Sequence, residues 1–293
     1  MKWGITFAST GFPDPDAAIA LAQTAEEVGF DSLWCPEHVV MSRAADATPY
    51  RGSPDGKMDR LARRGGIPDP LIWLTYVAAS TRSIKLATNV LIVPERQPVV
   101  LAKAAATLDH MCGGRLVLGI GVGELPEEYQ AVGMEFTNRG KRMDEYIDAM
   151  RLLWREDIAS FQGQYVQFEQ MECRPWPVNR AIPLHIGGNS NAAFRRAAQK
   201  GDGYFPFVFP DEDIKEALPR LINRVRDEAR AFGRDPDGIE MTSGGARTAD
   251  EARWYAEVGV HRITLAVRAR TIDDMRDELH RFADEVISKT TDL

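Results

Sequence analysis

The sequence predicts an α/β fold of the (β/α)8 TIM-barrel class, with residues 1–293 forming a single domain. Two observations carry this. Short β-rich runs alternate with longer helical patterns along the whole chain, and eight such strands can be counted. No repeat, low-complexity stretch or Gly/Ser linker divides them. A chain of 293 residues fits about two average domains or one barrel, and the strand count decides for the barrel.

The elements follow in order. Trp3 to Phe7 is the first strand. Asp14-Pro15 then supplies an N-cap and a first-turn proline, Ala18, Leu21, Ala22, Ala25 and Val28 recur on one helical face, and Gly29 ends the helix. Ser32 to Trp34 is the second strand, and Asp69-Pro70 opens a helix running to about Ser80. Ile84 to Ile92 reads as one continuous apolar strand, as expected for a parallel strand covered on both faces. Pro98 to His110 is helical, and Arg115 to Ile120 is the fourth strand. A helix at 140–155 and a turn-rich, hairpin-like segment at Phe161–Cys173 precede the fifth strand. Strands at Pro183–Ile186, Gly203–Phe207, Ile239–Thr242 and His261–Ala266 complete the barrel, with helices at 191–200, 212–232, 248–257 and 272–288.

Two connections exceed the usual two to six residues. One runs from about Val39 to Pro68, the other from about Glu124 to Arg139. Both leave C-terminal strand ends, the face where barrel enzymes hold their active sites. The first is expected to cover the substrate. Between residues 41 and 69 it carries six Lys/Arg against four Asp in a chain of net charge −7, so Arg63 and Arg64 are candidates for steering an anionic group.

Composition excludes several classes. The acidic balance argues against a nucleic-acid partner, and no apolar run is long enough to cross a membrane. The opening Met-Lys-Trp-Gly-Ile-Thr-Phe reads as the first strand of a cytoplasmic protein. Cys35, Cys112 and Cys173 are odd in number and widely spaced, so they read as free thiols in a reducing compartment. The five histidines form no zinc-binding pattern, and no metal site is expected.

Four clusters stand at predicted C-terminal strand ends. Cys35-Pro36-Glu37-His38 places a carboxylate and an imidazole where loops gather, suited to acid–base work or cofactor contact. Thr88-Asn89-Val90 ends the third strand and is ordinary strand sequence taken alone. Gly119-Ile120-Gly121-Val122-Gly123-Glu124 follows the fourth, and glycines spaced by two let backbone approach a bound group or turn tightly out of the barrel. A Rossmann reading fails on position and spacing. Ile186-Gly187-Gly188-Asn189-Ser190-Asn191 opens a helix, which forms either an anion site for a phosphate or a capped helix without a ligand. Four clusters at one mouth point to a phosphate-bearing organic cofactor. With no Gly-x-Ser-x-Gly elbow, nucleophilic hydrolysis has little support.

The blocks Pro94-Glu95-Arg96-Gln97-Pro98 through Lys103, Thr107-Leu108-Asp109, Gly113-Gly114-Arg115 and Gly119 to Gly123 resemble the luciferase-like monooxygenase superfamily. So do Phe136 to Gly140, Asp144-Glu145, Trp154, and Ile186-Gly187-Gly188 through Arg195-Arg196-Ala197-Ala198 to Gly201-Asp202-Gly203. The resemblance spans nearly the whole chain and is closest to the actinobacterial oxidoreductases that use coenzyme F420, an 8-hydroxy-5-deazaflavin. It implies a barrel of the bacterial luciferase type, with F420, or alternatively FMN, at its C-terminal mouth. Glu37 and His38 match an acidic–His pair beside the cofactor, and Thr88, Asn89 and Val90 match a segment whose non-proline cis peptide at Asn89-Val90 buttresses the ring. Gly123-Glu124 matches a Gly-Glu pair of sugar-phosphate dehydrogenases, in which the carboxylate is a proposed proton donor. Gly121 and Gly123 line the same loop. Gly187, Gly188 and Asn189, with Ser190, match positions at the phosphate-bearing side chain. Cys112, where relatives often have serine, reads as structural. The resemblance also implies a homodimer.

The expected activity is therefore hydride transfer between F420 and a small organic substrate. His38 is the first candidate for the proton, Glu37 orients it or meets the ring edge, and Glu124 is the alternative acid. The rivals are an FMN-dependent monooxygenase of the same fold and a barrel that binds its ligand without turnover. Glu37, His38 and Glu124 argue against the second rival.

Overall fold

The computed structural model describes residues 1–43, 48 and 66–293. Strands β1 (Lys2–Ile5), β2 (Ser32–Cys35), β3 (Lys85–Thr88), β4 (Leu91–Ile92) and β5 (Leu116–Gly121) make the first half of a parallel sheet. Strands β8 (Leu184–Gly187), β9 (Gly203–Phe205), β10 (Glu240–Gly244) and β11 (Arg262–Leu265) make the second. Their order is β3-β2-β1-β11-β10-β9-β8-β5-β4, and β3 also pairs with β5, which closes the barrel. β3 and β4 together act as one stave. The predicted continuous strand is thus broken in its upper half, at a cis peptide between Asn89 and Val90.

The helices are α1 (Ala8–Gly11), α2 (Pro15–Glu27), α3 (Pro70–Ala78), α4 (Pro98–Met111), α5 (Pro126–Ala131), α6 (Arg139–Arg155), α7 (Asn191–Lys200), α8 (Ile214–Ala231), α9 (Ala249–Glu257) and α10 (Ile272–Glu285). Their starts follow local chemistry. The carboxylates of Asp14 and Asp69 accept from first-turn N–H groups, each just ahead of a proline. Thr248 and Glu251 form a reciprocal capping box at α9. The face of α2 formed by Ala18, Leu21, Ala22 and Ala25 is buried, as its spacing predicts. Two elements were not legible: α1, which starts directly after Phe7 in a left-handed conformation, and α5 inside the second insertion. Between α6 and β8, Ala159–Gln162 (β6) and Gln167–Met171 (β7) form the expected antiparallel hairpin.

The interior of the barrel is filled by rings. Trp34 packs with Ala87, Val117 and Phe205, and its ring lies 5.7 Å from that of His185. Room comes from glycine: a Cβ on Gly4 would stand 2.8 Å from the Trp34 indole nitrogen, and one on Gly203 2.6 Å from the His185 ring. Below them, buried Arg262 bonds Asp31 and Glu240 at the N-terminal strand ends. Burial alone would raise the Glu240 carboxyl, but Arg262 and Lys2 overcome it and hold it at about 2. Burial pushes the His185 imidazole down to about 4, so that ring is neutral in the core.

The tightest contact lies between β3 and β5, where a Cβ on Gly119 would fall 1.9 Å from the Thr88 carbonyl oxygen. Backbone cannot yield as a side chain can. Gly119→Ala is expected to destabilise the fold by about 3 kcal/mol or more in urea unfolding. Gly238→Ala, with open space around its Cα, should change stability by less than about 0.5 kcal/mol. Equal effects of the two substitutions would contradict this packing account.

Candidate active site at the barrel mouth

The chain leaving β2 delivers Glu37 and His38 to the mouth, but the two side chains take different partners. Glu37 is only 5% exposed. Its carboxylate accepts from Arg96 through Nε, at 3.0 Å, and Nη2, and from the peptide N–H of Ile92. Arg96 also bonds Asp69 at 2.6 Å, the residue that caps α3. Burial pushes the Glu37 carboxyl above the ordinary range, against the pull of Arg96 and the Ile92 N–H. Among the described residues Glu37 makes no bond to His38; it clamps its loop to β4 and, through Arg96, to the start of α3.

His38 is oriented from the opposite side. Its Nδ1 lies 2.9 Å from Oε2 of Glu128, with both side chains nearly buried. Oε1 of Glu128 accepts from the N–H of Val39 and, at 3.4 Å, from that of Val40. The neighbouring carboxylate of Glu127 accepts from the N–H and hydroxyl of Thr48, both at 2.8 Å. The first turn of α5, in the second insertion, thus grips the beginning of the first. Glu124 stands half-buried just ahead of it, after Gly123 in its left-handed conformation. Most of the Val39–Pro68 insertion, Arg63 and Arg64 included, lies outside the described residues.

A third carboxyl was missed by sequence reasoning. Glu95 ends the 3₁₀ turn Val93–Glu95 after β4 and is 5% exposed. Among the described residues neither of its oxygens has a hydrogen-bond partner. Burial, with Glu128 and Glu37 as like-charged neighbours, pushes it up to about 8, against Arg96 and Arg142. Glu95 is therefore a neutral acid at pH 7, whereas Glu37 holds a guanidinium. The one signal in the sequence was its place in the Pro94-Glu95-Arg96-Gln97-Pro98 block that carries the family resemblance.

The glycine-rich segments serve mainly the protein's own packing. A Cβ on Gly121 would meet Val90 Cγ2 at 2.5 Å, one on Gly187 Val90 Cγ1 at 2.7 Å, and one on Gly123 Ile92 Cγ2 at 2.9 Å. The close approach read from these glycines is thus made by the β3–β4 segment itself. The Thr88 hydroxyl donates to the Gly119 carbonyl at 2.7 Å, so it is also spent internally. The Asn189 side chain bonds the Phe207 backbone through both ends, and Ser190 accepts from the Ala193 N–H as the cap of α7. What remains for a ligand is narrower than predicted. Asn89 donates to Thr6 Oγ1 while its own buried oxygen has no partner among the described residues. Gly188, at φ 105°, turns the backbone into the start of α7. The three cysteines are buried free thiols, and burial pushes Cys35 up to about 12, which removes it as a nucleophile.

The chain belongs to the luciferase-like monooxygenase family, which it matches over residues 3–289. An uncharacterized protein of Mycobacterium tuberculosis is 32% identical over 267 residues, covering 90% of this chain and 92% of that one. An F420-dependent glucose-6-phosphate dehydrogenase of Kineococcus radiotolerans is 28% identical over 284 residues, covering 93% of this chain and 76% of its own length. Among solved structures, the monooxygenase RslO1 of Streptomyces bottropensis superposes with a TM-score of 0.77 at 22% identity, covering 98% of this chain and 99% of that one. The coenzyme F420-dependent tetrahydromethanopterin reductase of Methanopyrus kandleri does so at 0.76 and 13% identity, covering 99% of each. Family and barrel are thereby established, with F420-dependent enzymes and monooxygenases both as neighbours.

Glu95 makes a pH prediction. Its carboxyl rises from 4.5 to about 8 on folding, so between those values the unfolded chain releases a proton that the fold retains. Stability then falls as pH rises through that window. In thermal melts at pH 5 and pH 9, Glu95→Gln should lose less Tm than the wild type, by roughly 2–4 °C for each kcal/mol involved. Parallel losses in the two proteins would contradict a neutral Glu95.

Proposed function

We propose that this protein is an F420-dependent oxidoreductase acting on a small organic substrate at the C-terminal mouth of the barrel. The observation that carries the reading is the buried pair of His38, just beyond β2, and Glu128 of α5, a proton-handling group held where the family's barrels open. The F420-dependent dehydrogenase similar over most of this chain supports the choice of cofactor.

The residues present fit a deazaflavin. The oxygen of Asn89, without a partner among the described residues, is an acceptor for a ring N–H, and Val90 beside it provides an apolar wall. The N–H groups of Asn191 and Ala192, opening the ten-residue α7 behind Gly188, suit a phosphate. When bound, the reduced coenzyme supplies a hydride. His38 would donate the accompanying proton to the substrate heteroatom, and in the reverse direction accept it. Asn189 and Ser190 act indirectly, by holding the loop at the head of α7.

Titration of the apo-protein by fluorescence quenching tests the cofactor. F420 is expected to bind at least ten-fold more tightly than FMN, and preferential FMN binding would replace this reading with an oxygen-using monooxygenase. With any substrate found by screening against reduced F420, His38→Ala should cost 10²-fold or more in turnover while cofactor affinity stays within about three-fold. Unchanged turnover would remove His38 from the reaction.

We also propose a homodimer. Ile72 and Tyr76 on α3 and Val100 and Met111 on the adjacent α4 are exposed large apolar side chains, a face suited to a second copy. Light scattering should give twice the 32.7 kDa chain mass, and a monomer at high micromolar concentration would contradict it.

A further inference from the structure

Among the described residues the mouth holds three buried glutamates, Glu37, Glu95 and Glu128, and their partners separate their roles. Glu37 is committed to Arg96 and the Ile92 N–H, and Glu95 has no partner among the described residues. Of these three carboxyls, Glu128 is the one that bonds His38. It divides its two oxygens, Oε1 taking the peptide N–H groups of Val39 and Val40 and Oε2 taking Nδ1 of the imidazole. We propose that Glu128, contributed by the second insertion, is the positioning residue that fixes His38 as the Nδ1–H tautomer and makes Nε2 the atom that exchanges a proton with the substrate.

The reasoning is about donors and acceptors. A carboxylate oxygen accepts, so the ring nitrogen facing it must carry the hydrogen. In a neutral imidazole the other nitrogen then holds the lone pair. A proton leaving a substrate O–H or N–H goes to Nε2, the electron pair of the broken bond stays on the substrate heteroatom, and Nδ1 keeps its own hydrogen throughout. The imidazolium so formed lies against a carboxylate that is already in place, with no reorganisation of the loop. In the reverse direction the same Nε2–H is the donor. The bonds from Oε1 to Val39 and Val40 hold the backbone on which His38 sits, so one carboxylate sets the ring's position and its tautomer together.

This rests on the reading of His38 as the proton group, but its test needs no cofactor. Nitrogen-15 spectra of histidine-labelled apo-protein at pH 8 distinguish the two tautomers, and His38→Gln identifies which of the five histidine signals belongs to His38. The wild type should show Nδ1–H. In Glu128→Gln the single amide oxygen is claimed by the Val39 and Val40 N–H groups, so the amide NH2 faces Nδ1 and the ring should move to Nε2–H. Glu127→Gln, which alters only the contact with Thr48, should keep the wild-type tautomer. An Nε2–H wild type, or a Glu128→Gln variant that retains Nδ1–H, would overturn the assignment. A protein that fails to bind F420 would overturn the functional reading and leave this result standing.

Discussion

The Val90 side chain lies wedged between two glycines, its methyl groups filling the space that side chains on Gly121 and Gly187 would need. Much of the mouth depends on that contact. It seats the β3–β4 segment against β5 and β8, and so lets β5 pair with both halves of the interrupted stave. The Asn89 N–H bonds the Cys35 carbonyl at the end of β2, and the Ile92 N–H reaches Glu37 two residues further along that chain. Arg96 then ties Glu37 to Asp69 at the head of α3. One apolar wedge thereby sets the relative height of the second, third, fourth and fifth staves at the end where chemistry takes place.

Charge at this mouth is sorted by partner rather than by residue type. Leaving an ionised carboxylate unpaired in the interior costs several kcal/mol, which for Glu95 somewhat exceeds the cost of keeping its proton at pH 7. Glu37, facing a two-pronged guanidinium, and Glu128, facing an imidazole and two peptide N–H groups, are compensated. Glu95 has no hydrogen-bond partner among the described residues, and burial with Glu128 and Glu37 outweighs Arg96 and Arg142, so it keeps its proton. The arrangement limits the charge beside His38. It also accounts for two carboxylates of α5 holding the start of the first insertion, since Glu127 and Glu128 lie in the first turn of a helix, where the backbone favours anions.

Much of this was legible in the sequence. Alternating patterns and Asp-Pro starts located the staves and most helices, because those signals are local. Glu37 and His38 at the end of β2 and the Gly-Gly turn before α7 were found for the same reason. The pairing of Glu128 with His38 joins residues 90 positions apart, and nothing local in Pro126-Glu127-Glu128 distinguishes a carboxylate that reaches across the mouth from one in a solvated first turn. Glycine was read in the right places for a partly different reason. Gly121 and Gly187 do permit close approach, but what approaches is Val90. That distinction requires knowing which strands are neighbours. The break at Asn89 could not be read from an apolar run either, and only the family resemblance pointed to it.

The proposed deazaflavin would be held by residues at the mouth, namely Asn89, Val90 and His38, with its phosphate at the N–H groups that open α7. Chemical-shift mapping on addition of oxidised F420 tests this most directly. The account predicts that the signals of the Asn89 side-chain amide, the His38 ring and the backbone amides of Asn191 and Ala192 move together, while the rings of His185, buried in the barrel, and His261, at its opposite end, stay unchanged. Shifts confined to residues away from the mouth, or a response to FMN with none to F420, would contradict it.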